Sequence, residues 1–283
     1  MAKISTARKA HGIAGLRLGI VLTLLASLIG FMAASATGET WSRLGDGMDA
    51  DVYALAFDSS GSLYAAGSFN NAGGATANHI ALWNGSIWQP LGSGTSAEVY
   101  ALATDKRGNL YAGGNFASAG GVTVNRVAKW DGVTWTALGS GMNAEVYALA
   151  VSSSGEVYAG GTFTIAGDVT ANRIAKWDGT AWSEVGGGTS GRVNALAFDR
   201  AGNLFAGGSF TSPAARIAKW DGTAWSPLGS GMSNTVRALA LDGGGNLYAG
   251  GGFASASGGS ASHIARWDGT AWSALGSGMN AEV

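Results

Sequence analysis

Five basic residues recur at one position of a repeating sequence, His79, Arg126, Arg173, Arg216 and His263. Imidazole and guanidinium groups gathered round an axis could bind an anion or an acidic glycan, because both donate hydrogen bonds to anionic oxygens. The same column also reads as structural, each side chain capping its own loop or pairing with a carboxylate of a neighbouring unit. His79 and His263 could form a metal or acid–base pair if a closed ring of five units made them neighbours. A second column, Asp58, Asp105, Asp199 and Asp242, stands three residues before a glycine each time. Calcium would need a further carboxylate at loop spacing. None is so placed, and Ser152 takes the position in the third unit. Turns in which a side-chain oxygen accepts from the following backbone suit Asp and Ser alike. The chain has no cysteine, which excludes disulfides, thiolate metal sites and a cysteine nucleophile. No cofactor and no metal site is implied.

The elements that must position these columns are legible from tryptophan. All 11 tryptophans fall into two columns, Trp41, Trp88, Trp135, Trp182, Trp225, Trp272 and Trp83, Trp130, Trp177, Trp220, Trp267. Successive members of the first are 47, 47, 47, 43 and 47 residues apart. Strand-rich self-similarity at that period predicts propeller blades. In the unit that opens at Trp88 the predicted strands are Val99 to Thr104, Leu110 to Phe116, Arg126 to Trp130 and Trp135 to Leu138. The fold class is therefore all-β, a β-propeller of four-stranded antiparallel blades with five full repeats and the start of a sixth. The blades are expected near 45–91, 92–138, 139–185, 186–228 and 229–275 of a 37–275 domain. Residues 41–44 would form an extra outer strand, and 276–283 the truncated start of a further blade, so that 41–44 and 272–275 compete for one place unless the ring is larger. Asp-Gly pairs such as Asp131-Gly132, replaced by Asn84-Gly85 in the first blade, predict type I′ hairpins between third and fourth strands. Alanines in the first strand, such as Ala101 and Ala103, suit a crowded axis.

At these residues the chain resembles the kelch-type repeat, with a Tyr-x-Gly-Gly second strand (Tyr111 to Gly114), a third strand ending in Asp and a Trp opening the fourth. It is most similar to the Rax-type cortical-marker propellers of fungal cell walls and to related repeats of secreted bacterial proteins. The resemblance covers residues 41–283 and implies the fold; function follows less directly, because propellers host unrelated activities. Kelch-type copper oxidases use a cysteine-linked tyrosine, and without cysteine that activity is excluded.

Residues 1–36 carry Lys3, Arg8, Lys9 and Arg17 and no acid, followed by the apolar run 18–32 and Ala34-Ser35-Ala36. This is the layout of a signal peptide cleaved after Ala36. An uncleaved anchor over 18–36 is the alternative and the one route to a membrane. The remaining body has 13 basic and 18 acidic side chains, a net of about −5, which argues against nucleic acid.

The long loops share one face, and Met48, Thr95, Met142, Thr189, Met232 and Met279 along them suit packing. The outer column Leu82, Lys129, Lys176, Lys219 and Arg266 suits a solvated edge. The one clear break in the repeat is the fourth blade, whose loop shrinks to 211–215, with Glu184 and Arg192 as the unusual charges nearby. The near-identity of the blades predicts a secreted or cell-surface, non-enzymatic binding or scaffold propeller. Its partner would be an extracellular protein or glycan. The other reading is a secreted carbohydrate-active hydrolase or lyase with a site beside that fourth blade.

Overall fold

The computed structural model describes residues 42–283. The predicted signal peptide and Trp41 lie outside the described residues. Five four-stranded antiparallel sheets follow one another along the chain. The first has strands Val52–Phe57, Leu63–Gly67, Ile80–Trp83 and Trp88–Pro90, and the second Val99–Thr104, Leu110–Gly114, Val127–Trp130 and Trp135–Ala137. The third has Val146–Val151, Val157–Gly161, Ile174–Trp177 and Trp182–Glu184. The fourth has Val193–Phe198, Leu204–Gly208, Ile217–Trp220 and Trp225–Pro227, and the fifth Val236–Leu241, Leu247–Gly251, Ile264–Trp267 and Trp272–Ala274. Each sheet runs in sequence order from an inner strand outward, and inner strands of successive blades pack side by side. This is the β-propeller that the tryptophan period predicts.

The alanines of the inner strands face the next blade. Ala101 packs with Val146 and Leu149, and Ala195 with Val236 and Leu239. Small side chains there let two sheets approach, and the larger indoles fill the space further out. Paired tryptophans such as Trp130 and Trp135 stand opposite each other across the outer two strands, with ring centroids 5.3 Å apart. The outer indole also reaches back one blade. Trp135 Nε1 donates to the Leu91 carbonyl at 2.9 Å, Trp182 Nε1 to Leu138 at 2.7 Å and Trp272 Nε1 to Leu228 at 3.0 Å.

Two expectations change. The Asp-Gly hairpins are not type I′, because Gly132 has φ 99° while Asp131 is not in the positive-φ region. Four residues separate Trp130 from Trp135, and the Asp131 carboxylate closes that loop by accepting from the N–H groups of Val133 (2.8 Å) and Thr134 (2.7 Å). Residues 42–44 form no strand. The fifth blade already has its own outer strand at Trp272–Ala274, and Leu44 is held at the first blade by Trp88 Nε1, 3.0 Å from its carbonyl. The ring of five does not close: inner strands pack first to second through fourth to fifth, but the first and fifth do not pack in that way. Val52 is accordingly only half-buried, whereas Val99, Val146, Val193 and Val236 are fully buried. His79 and His263 therefore do not become ring neighbours. Over the fifth blade, Val283 takes the place above Gly250 that Val146 takes above Gly113.

The long loops contain structure that the sequence did not suggest. Two-residue strands form small hairpins, Asn71–Ala72 with Ala75–Thr76 in the first blade and equivalents in the second, third and fifth. Bridges such as Met142 to Ala166 tie them to the blade-to-blade loops. In the methionine and threonine column Thr95, Met142, Thr189 and Met232 are 5% exposed or less, whereas Met48 is half-buried and Met279 is exposed.

Candidate functional site

Every inner strand carries a β-bulge near its start. Pairing runs from Val99 opposite Gly114 to Ala101 opposite Gly113, skipping Tyr100, and the same shift recurs in all five blades. A bulge leaves its extra residue unpaired and re-aims that side chain. The second glycine of each Gly-Gly or Ala-Gly pair permits it. A Cβ on Gly114 would stand 2.2 Å from the Glu98 carbonyl oxygen, and one on Gly161 2.0 Å from that of Glu145. Both are inside van der Waals contact, so the strands come this close only over glycine.

The bulged residues are Tyr53, Tyr100, Tyr147, Asn194 and Arg237, and together they ring the mouth of the axis on the long-loop face. They surround a shallow cup of about 170 Å³. Tyr53 and Tyr100 lie 5.8 Å apart at 52°, and Tyr100 and Tyr147 stack at 5.0 Å and 6°. The Arg192 guanidinium caps this row, 4.9 Å from the centroid of the Tyr147 ring. Burial, then the Glu98 carboxylate, pushes the Tyr100 phenol up to about 12, so it is a neutral donor at physiological pH. Glu145 is held below the usual carboxylate range, chiefly by the Thr162 hydroxyl that donates to it at 2.6 Å, with Arg126 and Arg192 adding to the effect. On the fifth blade Arg237 pairs with Glu282. The first three blades thus offer stacked aromatics flanked by carboxylates, and the last two an amide and guanidinium groups. Such a cup can bind. Among the described residues that line it, no nucleophile is hydrogen-bonded to a base.

The predicted basic column stands outward of this rim, where each residue precedes the third strand and its carbonyl meets the glycine that closes over the bulge. All five residues adopt a left-handed backbone, with φ between 66° and 73°. The backbone N–H of Arg126 donates to the Phe116 carbonyl at 2.7 Å and its carbonyl accepts from Gly114 N–H at 2.9 Å, and the other four follow the same pattern. Arg173 Nη1 donates to the Thr189 carbonyl at 2.8 Å, and Arg216 Nη1 to that of Phe210 at 3.3 Å. His263 Nδ1 lies 3.1 Å from the Gly251 carbonyl oxygen. His79 Nδ1 and Arg126 Nε are buried without partners. Arg126 is the member of the column whose charge reaches the mouth, through Glu145.

The charges named for the fourth blade part company. Arg192 belongs to the mouth, whereas the Glu184 carboxylate, on an outer strand, accepts from Gly187 N–H at 2.6 Å. The hairpin aspartates act as turn residues: Asp105 accepts from the N–H groups of Arg107 and Asn109, both at 2.9 Å. Among the described residues no group of three or more His, Asp or Glu is placed to hold a metal ion.

The sequence reading passed over the bulged column. Its signal was the change from Tyr53, Tyr100 and Tyr147 to Asn194 and Arg237 at one repeat position, beside the change from Glu98 and Glu145 to Arg192. Both looked like substitutions in a strand, because no periodicity marks a bulge.

The profile of the Rax2 C-terminal beta propeller domain matches the chain in two overlapping placements, residues 86–241 and 128–283. A search of curated proteins found no match.

Proposed function

Since the chain belongs to the Rax2 C-terminal β-propeller family, we propose that it is a non-enzymatic binding propeller of the cell surface or extracellular space. It engages a protein or glycan partner at the long-loop end of its axis. The observation that carries this reading is the asymmetric mouth, an aromatic row on three blades that ends in arginines on the other two. Aromatic faces and guanidinium groups on a rigid rim are the residue types that dominate binding energy, and a cup of about 170 Å³ takes one side chain or one sugar of a larger partner. The predicted signal peptide supports an extracellular location. His79, Arg126, Arg173, Arg216 and His263 serve this site as a support beside its rim, with Arg126 contributing charge.

The test is saturation binding of the fluorescently labelled chain to intact cells and to cells stripped with protease or periodate. Replacing Tyr147 and Arg192 together by alanine is expected to weaken binding by about tenfold or more, the loss of one good cation–π and aromatic contact set. Binding unchanged in that double variant would overturn the assignment of the mouth. Release of soluble sugar that the double variant abolishes would overturn the non-enzymatic reading.

A further inference from the structure

The tight-hairpin face, opposite the mouth, holds a groove of about 580 Å³ between the second and third blades. Its volume falls in the range of ligand sites, roughly 300–1,000 Å³. Its walls depart from the repeat. The residue pair at the tip of the inner hairpin is Ser59-Ser60, Ser153-Ser154, Arg200-Ala201 or Gly243-Gly244 elsewhere, and Lys106-Arg107 in the second blade. Lys129 stands on the same wall. Across the groove Ser152 replaces the aspartate of the other hairpins, which removes a carboxylate from the facing wall.

The remaining carboxylates are already engaged. Asp105 accepts from Asn109 Nδ2 at 2.6 Å, Glu156 pairs with Lys176 at 2.9 Å, and Asp178 accepts from the Thr180 hydroxyl at 2.7 Å. The cations are not. Lys106 Nζ has one long contact, 3.4 Å to the Ser153 carbonyl, and the Arg107 and Lys129 side chains make no hydrogen bond or ion pair among the described residues. Ser152, Ser153 and Ser154 line the far wall with hydroxyls, and Trp177 gives it an aromatic edge.

We infer that this groove is an anion-binding subsite for an acidic oligosaccharide, whose carboxylates meet Lys106, Arg107 and Lys129 while its ring hydroxyls meet the serine wall. With Glu156 offset by Lys176, the three cations Lys106, Arg107 and Lys129 outnumber the two remaining carboxylates of the lining, Asp105 and Asp178, whose oxygens are already turned to Asn109 and Thr180, so the groove favours an anion. Hydroxyls that both donate and accept match sugar hydroxyls, and an indole edge suits the apolar side of a sugar ring. The site is separate from the axial mouth and does not depend on it.

The probe is tetragalacturonic acid, titrated calorimetrically into the full chain at low salt, with its fully methyl-esterified form and hexaglutamate as comparisons. The variants are K106S/R107S, which copies the first blade's Ser59-Ser60, and K129L, which copies its Leu82, so both restore a sequence the fold already uses. Tetragalacturonate should bind, and each variant and the ester should bind about tenfold more weakly, the loss of a charge-assisted hydrogen bond, with melting temperatures unchanged. Failure of tetragalacturonate to bind would overturn the inference, as would ester binding of equal strength or unaltered affinity in K106S/R107S. Tighter binding of hexaglutamate would replace it with an acidic-peptide site. The Tyr147 and Arg192 double variant should keep full tetragalacturonate affinity, which separates this site from the mouth.

Discussion

At the scale of single residues, carboxylates in this protein close turns. Asp178, Asp221 and Asp268 are each held near 2, against an ordinary 3.8, by backbone N–H groups and a threonine hydroxyl that donate to them. A carboxylate whose folded value is depressed adds stability that is complete above the unfolded value and is lost as pH falls through the folded one. Thermal midpoints should therefore hold above about pH 4 and fall between pH 4 and 2. The D178N/D221N/D268N variant should fall less steeply there, because Asn84 already closes the same loop in the first blade, accepting from Ser86 and Ile87 N–H at 3.0 Å. An acid slope identical to wild type in calorimetric scans would show that other groups set it. The residues of these turns were legible from Asp-Gly, but their conformation was not. Asp-Gly is shared by two-residue and four-residue loops, and the loop length depends on which tryptophans pair.

At the scale of the element, the bulge joins the fold to the site. Gly161 allows the inner strand to close over the Glu145 carbonyl and so turns Tyr147 to the axis, whereas its neighbour Gly160 faces the Val193 side chain. The first blade has Ala66 at the Gly160 position and Gly67 at the other. Gly161→Ala should cost about 3 kcal/mol, and Gly160→Ala about 1, as expected for overpacking against backbone and against a movable side chain. Urea midpoints measure both, and equal losses would contradict the account. Strand positions were legible because tryptophan, alanine and glycine columns repeat, and the four main strands of each blade lie within two residues of expectation. The bulge, the two-residue hairpins and the groove were not. Each depends on what two chain segments do when brought together, and Lys106-Arg107 acquires its meaning only when Ser152 lies across from it.

At the scale of the whole molecule, the blades form an arc in which each rests on its neighbours. The first and fifth inner strands lack the neighbour that the others have, and Val52, Leu55, Tyr248 and Ile264 are half-buried where the corresponding residues of the central blade, Val146, Leu149, Tyr158 and Ile174, are buried. In quasi-one-dimensional assemblies local stability follows nearest-neighbour contacts. Amide exchange should therefore be slowest in the inner strand Val146–Val151 of the third blade and faster in Val52–Phe57 and Val236–Leu241. Uniform protection across the five would show that the arc unfolds as one unit. The tryptophan pairs have a consequence of another kind. Five indole pairs hold centroids 5.3 to 5.4 Å apart at angles of 48° to 54°, close enough and tilted enough for their electronic transitions to couple. Each blade thus carries the same chiral chromophore, so far-ultraviolet dichroism of this protein reads the number of intact blades by their light absorption, with no label attached.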